Sequence, residues 1–91
     1  MNEYQKSLIM LVEECSEVQH ICSKIFRFGF NTRYNDISNK EYLEKELGDV
    51  LAMVDILINA GVINENKVLD NRNIKLRQLK VGKYFPDNWV E

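Results

Sequence analysis

The stretch Lys45-Glu46-Leu47-Gly48-Asp49-Val50-Leu51-Ala52-Met53-Val54-Asp55-Ile56-Leu57 sets two carboxylates, Glu46 and Asp49, three residues apart on what otherwise reads as an apolar helix. Carboxylates at the edge of an apolar face lose hydration unless something compensates them. The same arrangement occurs earlier, in Leu11-Val12-Glu13-Glu14-Cys15-Ser16-Glu17-Val18. On a wheel of about 100° per residue with Leu11 at zero, Glu14 falls about 60° and Glu17 about 120° to one side. With Leu43 at zero, Glu46 and Asp49 fall at the same two offsets on the same side, whereas Glu13 and Lys45 point outward. Either acid pair alone reads as an ordinary solvated face. Two pairs on one template predict that the helices pack antiparallel and gather Glu14, Glu17, Glu46 and Asp49 at the edge of the core.

The rest of the chain supplies the helices this needs. Asn2 with Gln5 has capping-box spacing, and an apolar stripe follows through Leu8, Leu11, Cys15, Val18, Cys22 and Ile25, which predicts a helix over about 3–28 that stops at Gly29 with a left-handed cap. Residues 30–37 have turn formers and no period, and read as a loop over the site. Ser38-Asn39-Lys40-Glu41 is a second capping box; the stripe Leu43, Leu47, Val50, Val54, Leu57, Ile58 carries a helix over about 39–60 to Ala60-Gly61. Asn64 caps a third helix over about 65–81, with apolar positions at Val68, Leu69, Leu76 and Leu79. No stretch reads as a strand. The tail from Lys83 to Glu91, with Tyr84, Phe85 and Trp89, is expected to pack on a neighbouring element or subunit.

The 91 residues make a single domain over 1–91, of a size at which one core yields only a few kcal/mol of net stability. An antiparallel hairpin and a third helix cannot enclose both stripes, so the expected fold is all-α, a four-helix-type bundle completed by homo-oligomerisation as a dimer or tetramer. No apolar run approaches a membrane span and no signal peptide is present, which points to a cytoplasmic protein with no membrane partner. Cys15 and Cys22, about 10 Å apart on one helix, read as reduced, packed thiols. The net charge of −2 hides an asymmetry. Residues 1–64 hold ten acids against six bases, and residues 65–83 two acids against six bases. A basic third helix beside acidic ones suits a phosphorylated small molecule, and no nucleic-acid partner is expected.

Four carboxylates in a partly dry place repel one another and call for a cation. An all-oxygen donor set favours a hard ion, Mg²⁺ first, then Mn²⁺ or Ca²⁺, over zinc. Glu17-Val18-Gln19-His20 has the ExxH form of di-iron bundles, but the second such motif is missing, so His20 reads as a partly exposed residue or one lining the site. Phe26, Phe28, Phe30 and Tyr34 read as core, with a base-stacking ring among them as the alternative.

Glu14-Cys15-Ser16-Glu17, 28 residues, then Glu46-Leu47-Gly48-Asp49 resembles the ExxE…ExxD signature of the MazG-like all-α nucleoside triphosphate pyrophosphohydrolases. The doublet Glu13-Glu14, the run Gly48-Asp49-Val50-Leu51 and the basic third helix extend the resemblance over most of the chain. It implies Mg²⁺-dependent hydrolysis of a (d)NTP to the monophosphate and pyrophosphate. Glu14, Glu17, Glu46 and Asp49 become metal ligands and catalytic residues, one of them acting on the attacking water. Lys75 and Arg72, with Asn71 and Lys80 behind them, become the substrate-binding residues that meet the leaving pyrophosphate. Lys45 replaces an acid of the family pattern, and Ala52 and Met53 stand where an aromatic residue is frequent, which leaves the base open. Two other readings share the scaffold: a phosphoribosyl-ATP pyrophosphohydrolase type, and a non-catalytic helical interaction or regulatory module.

Overall fold

The computed structural model describes residues 1–82. The expectation for the tail from Lys83 to Glu91 falls outside the described residues. In chain order the elements are α1 (Glu3–Phe28), β1 (Arg33–Tyr34), β2 (Ile37–Ser38), α2 (Asn39–Asn59) and α3 (Glu65–Val81).

Each helix begins where a side chain satisfies its first free N–H groups. Asn2 and Gln5 form a complete capping box, with Gln5 N donating to Asn2 Oδ1 at 3.0 Å and Asn2 N to Gln5 Oε1 at 2.9 Å. The box expected at α2 forms by half. Glu41 N donates to Ser38 Oγ at 3.1 Å, but the Glu41 carboxylate turns instead to the Ser38 hydroxyl and to Arg33, 3.7 Å away. α2 ends in a Schellman motif, with Val62 N bonded to Leu57 O, Gly61 N to Ile58 O and Gly61 at φ 74°. Gly29 closes α1 at φ 92°, ψ 164°, a glycine-only conformation outside the left-handed helical region expected there.

The loop expected over 30–37 contains a small antiparallel hairpin, Arg33 opposite Ser38 and Tyr34 opposite Ile37. Its turn residues Asn35 and Asp36 both take positive φ, as the favoured two-residue turn requires, and Asn and Asp tolerate this better than most residues. The period of two was invisible because each strand has only two residues. The segment is tied down by Asn39 N to Thr32 O, Lys40 N to Phe30 O, both 2.9 Å, and Asn39 Nδ2 to Gly29 O at 3.0 Å.

α1 and α2 pack together as an antiparallel pair, while α3 makes at most marginal contact with either. Among the described residues, Ile21, Met53 and Leu57 are the buried apolar ones. They place the contact face on Glu14, Val18, Ile21 and Ile25 of α1 and on Glu46, Val50, Met53 and Leu57 of α2, the same i, i+4, i+7, i+11 spacing in each. This face is centred about 50° round from the apolar stripes read in the sequence. Glu14 and Glu46 therefore lie on the contact face and not on its flank. The other side of each stripe, including Leu8, Cys15 and Leu47, is exposed, so Cys15 is not a packed thiol.

The molecule is open. Its extents are 39 × 37 × 16 Å and its radius of gyration 15.8 Å, against about 12 Å for a compact domain of this length. Its accessible surface is 7491 Å². A compact 10.7 kDa monomer exposes about 5,500 Å².

Candidate metal centre

Where the acid-bearing segments cross, one carboxylate oxygen from each of Glu14, Glu46 and Asp49 lies within 4.8 Å of the others. The shared helical template explains the meeting. Glu14 and Glu46 occupy the contact face, and Asp49 follows Glu46 by nearly one turn on the same side of α2. Glu17, the fourth expected acid, stays outside this group. It is exposed and lines the adjoining cavity with Glu46.

Glu46 is the centre of the arrangement. It is 9% exposed, and its Oε2 is buried without a hydrogen-bond partner. Its Oε1 lies 3.4 Å from Lys45 Nζ. A buried carboxylate oxygen without a donor is costly, and a bound cation relieves that cost. Burial, followed by the negative charges of Asp49 and Glu46, pushes the Glu14 carboxyl above its ordinary range. Asp49 is held below its own by the hydrogen bond from Lys45, against the effect of burial.

Lys45 departs from the outward orientation expected for it. Its Nζ donates to Asp49 Oδ2 at 2.8 Å. The Cα of Lys45 does face away, but its four-carbon stem reaches one turn along α2, and the gathered negative charge supplies the attraction. The same bond holds the Lys45 ammonium's pKa above its ordinary value.

Three oxygen donors around a shared point, one of them buried and unpaired, fit a hard divalent cation, with waters and phosphate oxygens to complete its shell. No histidine or cysteine joins the group, which disfavours zinc. A cavity of about 270 Å³ opens beside Glu46 between α1, β1 and α2, lined by Glu17, His20, Lys24, Tyr34 and Tyr42, with Ile21 as its floor. Lys24 and Tyr42 were missed in the sequence. The available signal was spacing: Lys24 is seven residues after Glu17 and Tyr42 four before Glu46, each on its acid's helical face.

The basic residues of α3 stand apart. Asn71, Arg72, Lys75 and Lys80 do not line this cavity. Asn71 Nδ2 donates to Lys67 O at 2.8 Å, and Arg72 pairs with Asn73 Oδ1 through Nη2 at 2.9 Å. No described helix is long and apolar enough to cross a membrane.

The model of one family, the MazG nucleotide pyrophosphohydrolase domain, matches residues 2–79 of the chain. No curated protein and no solved structure matches it.

Proposed function

Because the chain belongs to the MazG nucleotide pyrophosphohydrolase domain family, we propose that it is a Mg²⁺-dependent, cytoplasmic enzyme that cleaves a (d)NTP to the (d)NMP and pyrophosphate. The observation that carries the reading is the buried, unpaired Oε2 of Glu46 beside the carboxylates of Glu14 and Asp49. These three residues would hold the ion. Bound there, Mg²⁺ or Mn²⁺ would supply a water of lowered pKa and neutralise phosphate charge. Glu17, which lines the cavity beside Glu46, orients the attacking water towards the α-phosphorus. Water adds there, the bond to the bridging oxygen breaks, and pyrophosphate leaves.

The leaving group carries several negative charges, and cations stabilise it. Lys75 and Arg72, with Asn71 and Lys80, serve this role in the proposed assembly. Since α3 hardly touches α1 or α2 of its own chain, they reach the site from α3 of a second copy in a dimer or tetramer.

The deciding experiment measures pyrophosphate released from a panel of canonical and modified nucleotides, with phosphoribosyl-ATP included, in Mg²⁺ and in EDTA. Release in Mg²⁺ that is abolished by EDTA and by Asp49→Asn supports the reading. Release from phosphoribosyl-ATP alone moves the substrate to that class. No release from any nucleotide leaves the scaffold as an interaction module.

A further inference from the structure

The carboxylate triad accounts for the phosphate end of a substrate and leaves the rest of the cavity without a role. Four features set that remainder apart. It begins at Glu46, which the triad and the cavity share, and runs along α1 past Glu17 and His20 to Lys24. From Glu14 to Lys24 is ten residues, about 15 Å of helix, long enough for an extended nucleotide. At its far end stands Tyr34, an aromatic ring that is 67% exposed although its backbone is fixed in the hairpin. Lys24 Nζ sits over that ring, 5.9 Å from its centroid, and the two side chains also border a second cavity of about 250 Å³ towards Phe28 and Arg33.

A tyrosine held in water by an anchored turn loses little freedom when something flat lies on it, and aromatic stacking is how proteins hold bases without reading their edges. Phe26 is 89% exposed and Phe28 and Phe30 are exposed as well, yet none of the three lines the cavity that contains Glu46. Of the two tyrosines that do line it, Tyr42 is half-buried and Tyr34 exposed, so Tyr34 is the ring with a face open to a ligand whose phosphates are held at the triad. The His20 imidazole and the Tyr42 hydroxyl line the same cavity and offer hydrogen-bonding groups to the edge of such a ligand.

We infer that Tyr34 is the nucleobase platform of this site: the base of the nucleoside triphosphate stacks on its ring, with its polar edge towards His20 and Tyr42, while the phosphates lie at Glu14, Glu46 and Asp49. The inference rests on the reading of the triad as a nucleotide-hydrolysing metal site and adds the residue that selects nucleotides over bare polyphosphate. Stacking depends on the ring and not on its hydroxyl, so phenylalanine serves equally well.

The test is calorimetric titration of the full chain in Mg²⁺ with the α,β-methylene analogues of ATP, GTP, CTP and UTP and, separately, with inorganic tripolyphosphate. Tyr34→Ala is expected to weaken the best-bound analogue on the order of tenfold, with tripolyphosphate affinity, oligomeric mass and melting temperature unchanged, and Tyr34→Phe to bind like the parent. Equal binding of the analogue by parent and Tyr34→Ala overturns the inference and leaves the enzyme reading intact. Parallel loss of tripolyphosphate binding, or dissociation of the assembly, also overturns it, because the ring would then be structural. Failure of the parent protein to bind either ligand brings down the enzyme reading and this inference together.

Discussion

Lys45 Nζ donates to Asp49 Oδ2 at 2.8 Å and lies 3.4 Å from Glu46 Oε1, so the positive charge nearest two of the three gathered carboxylates comes from the same helix. A divalent cation entering the triad must share those oxygens with an ammonium group or displace it. Lys45→Met removes the competitor without removing a ligand. The variant is expected to bind Mn²⁺ about threefold to tenfold more tightly, as read by electron paramagnetic resonance of free Mn²⁺, with the gain shrinking at high salt because Lys45 is largely exposed. In EDTA the same variant should melt at a lower temperature than the parent, since the acids lose their partner. Equal Mn²⁺ affinity in both proteins would show that Lys45 swings clear of the site at no cost.

Glu46→Gln should separate folding from metal binding. The buried Oε2 has no partner, and a neutral amide there removes the repulsion between Glu46 and the neighbouring acids Glu14 and Asp49. In EDTA the variant is expected to be more stable by about 1 kcal/mol, or about 4–8 °C in melting temperature for a chain of this size. Mg²⁺, which should raise the melting temperature of the parent by linkage, should leave Glu46→Gln unmoved. A variant less stable than the parent in EDTA would place the role of Glu46 in packing.

The helices were legible because their ends are chemically marked: Asn2, Ser38 and Asn64 each accept the expected backbone N–H, and Gly61 supplies the positive φ that stops α2. The pairing of Glu14 with Glu46 and Asp49 was legible because an identical spacing recurs in two places. Three features were not. The hairpin at Arg33–Ser38 is too short for a periodic signal, and the only clue was Asn35-Asp36, a turn pair without glycine. The orientation of the helices was also misread, since a wheel centred on Leu11 and Leu43 averages over every apolar residue. Each stripe is wider than the α1–α2 contact, and only the three-dimensional packing divides it into a face centred on Glu14 and Glu46 and an outer remainder. The reach of Lys45 to Asp49 was missed because a wheel records Cα directions and not the length of a side chain.

Gly48 within α2 and Gly61 just past its end should respond to alanine in opposite directions. Gly61 holds φ 74° in the Schellman motif, where an L side chain is strained, so Gly61→Ala is expected to cost about 1 kcal/mol. Gly48 lies mid-helix, and a Cβ added there meets nothing within 4 Å. Gly48→Ala should therefore stabilise an isolated chain by about 0.5–1 kcal/mol. Denaturant titration in EDTA reads both. Destabilisation by Gly48→Ala would mean that another chain packs closely against that face.

Beyond the α1–α2 contact, the outer remainder of the two stripes forms a second apolar face. Leu8, Val12 and Cys15 of α1 and Leu47, Leu51, Val54 and Ile58 of α2 lie about 70–150° round from the contact face, again on one template. Val12 and Leu51 are among the most exposed apolar residues of the described chain. The surface exceeds that of a compact monomer by about 2,000 Å², comparable to the area a stable interface removes from water. Light scattering should therefore give a mass of at least twice 10.7 kDa. Leu51→Asp, which puts a charge in the middle of that face and touches none of the three gathered carboxylates, should reduce the mass to that of one chain. It should also make the melting temperature independent of protein concentration, which an obligate oligomer does not show. Because α3 meets neither α1 nor α2 of its own chain appreciably, the released monomer should lose pyrophosphate release while its triad still binds Mn²⁺. A fully active Leu51→Asp monomer would return the cations of α3 to their own chain.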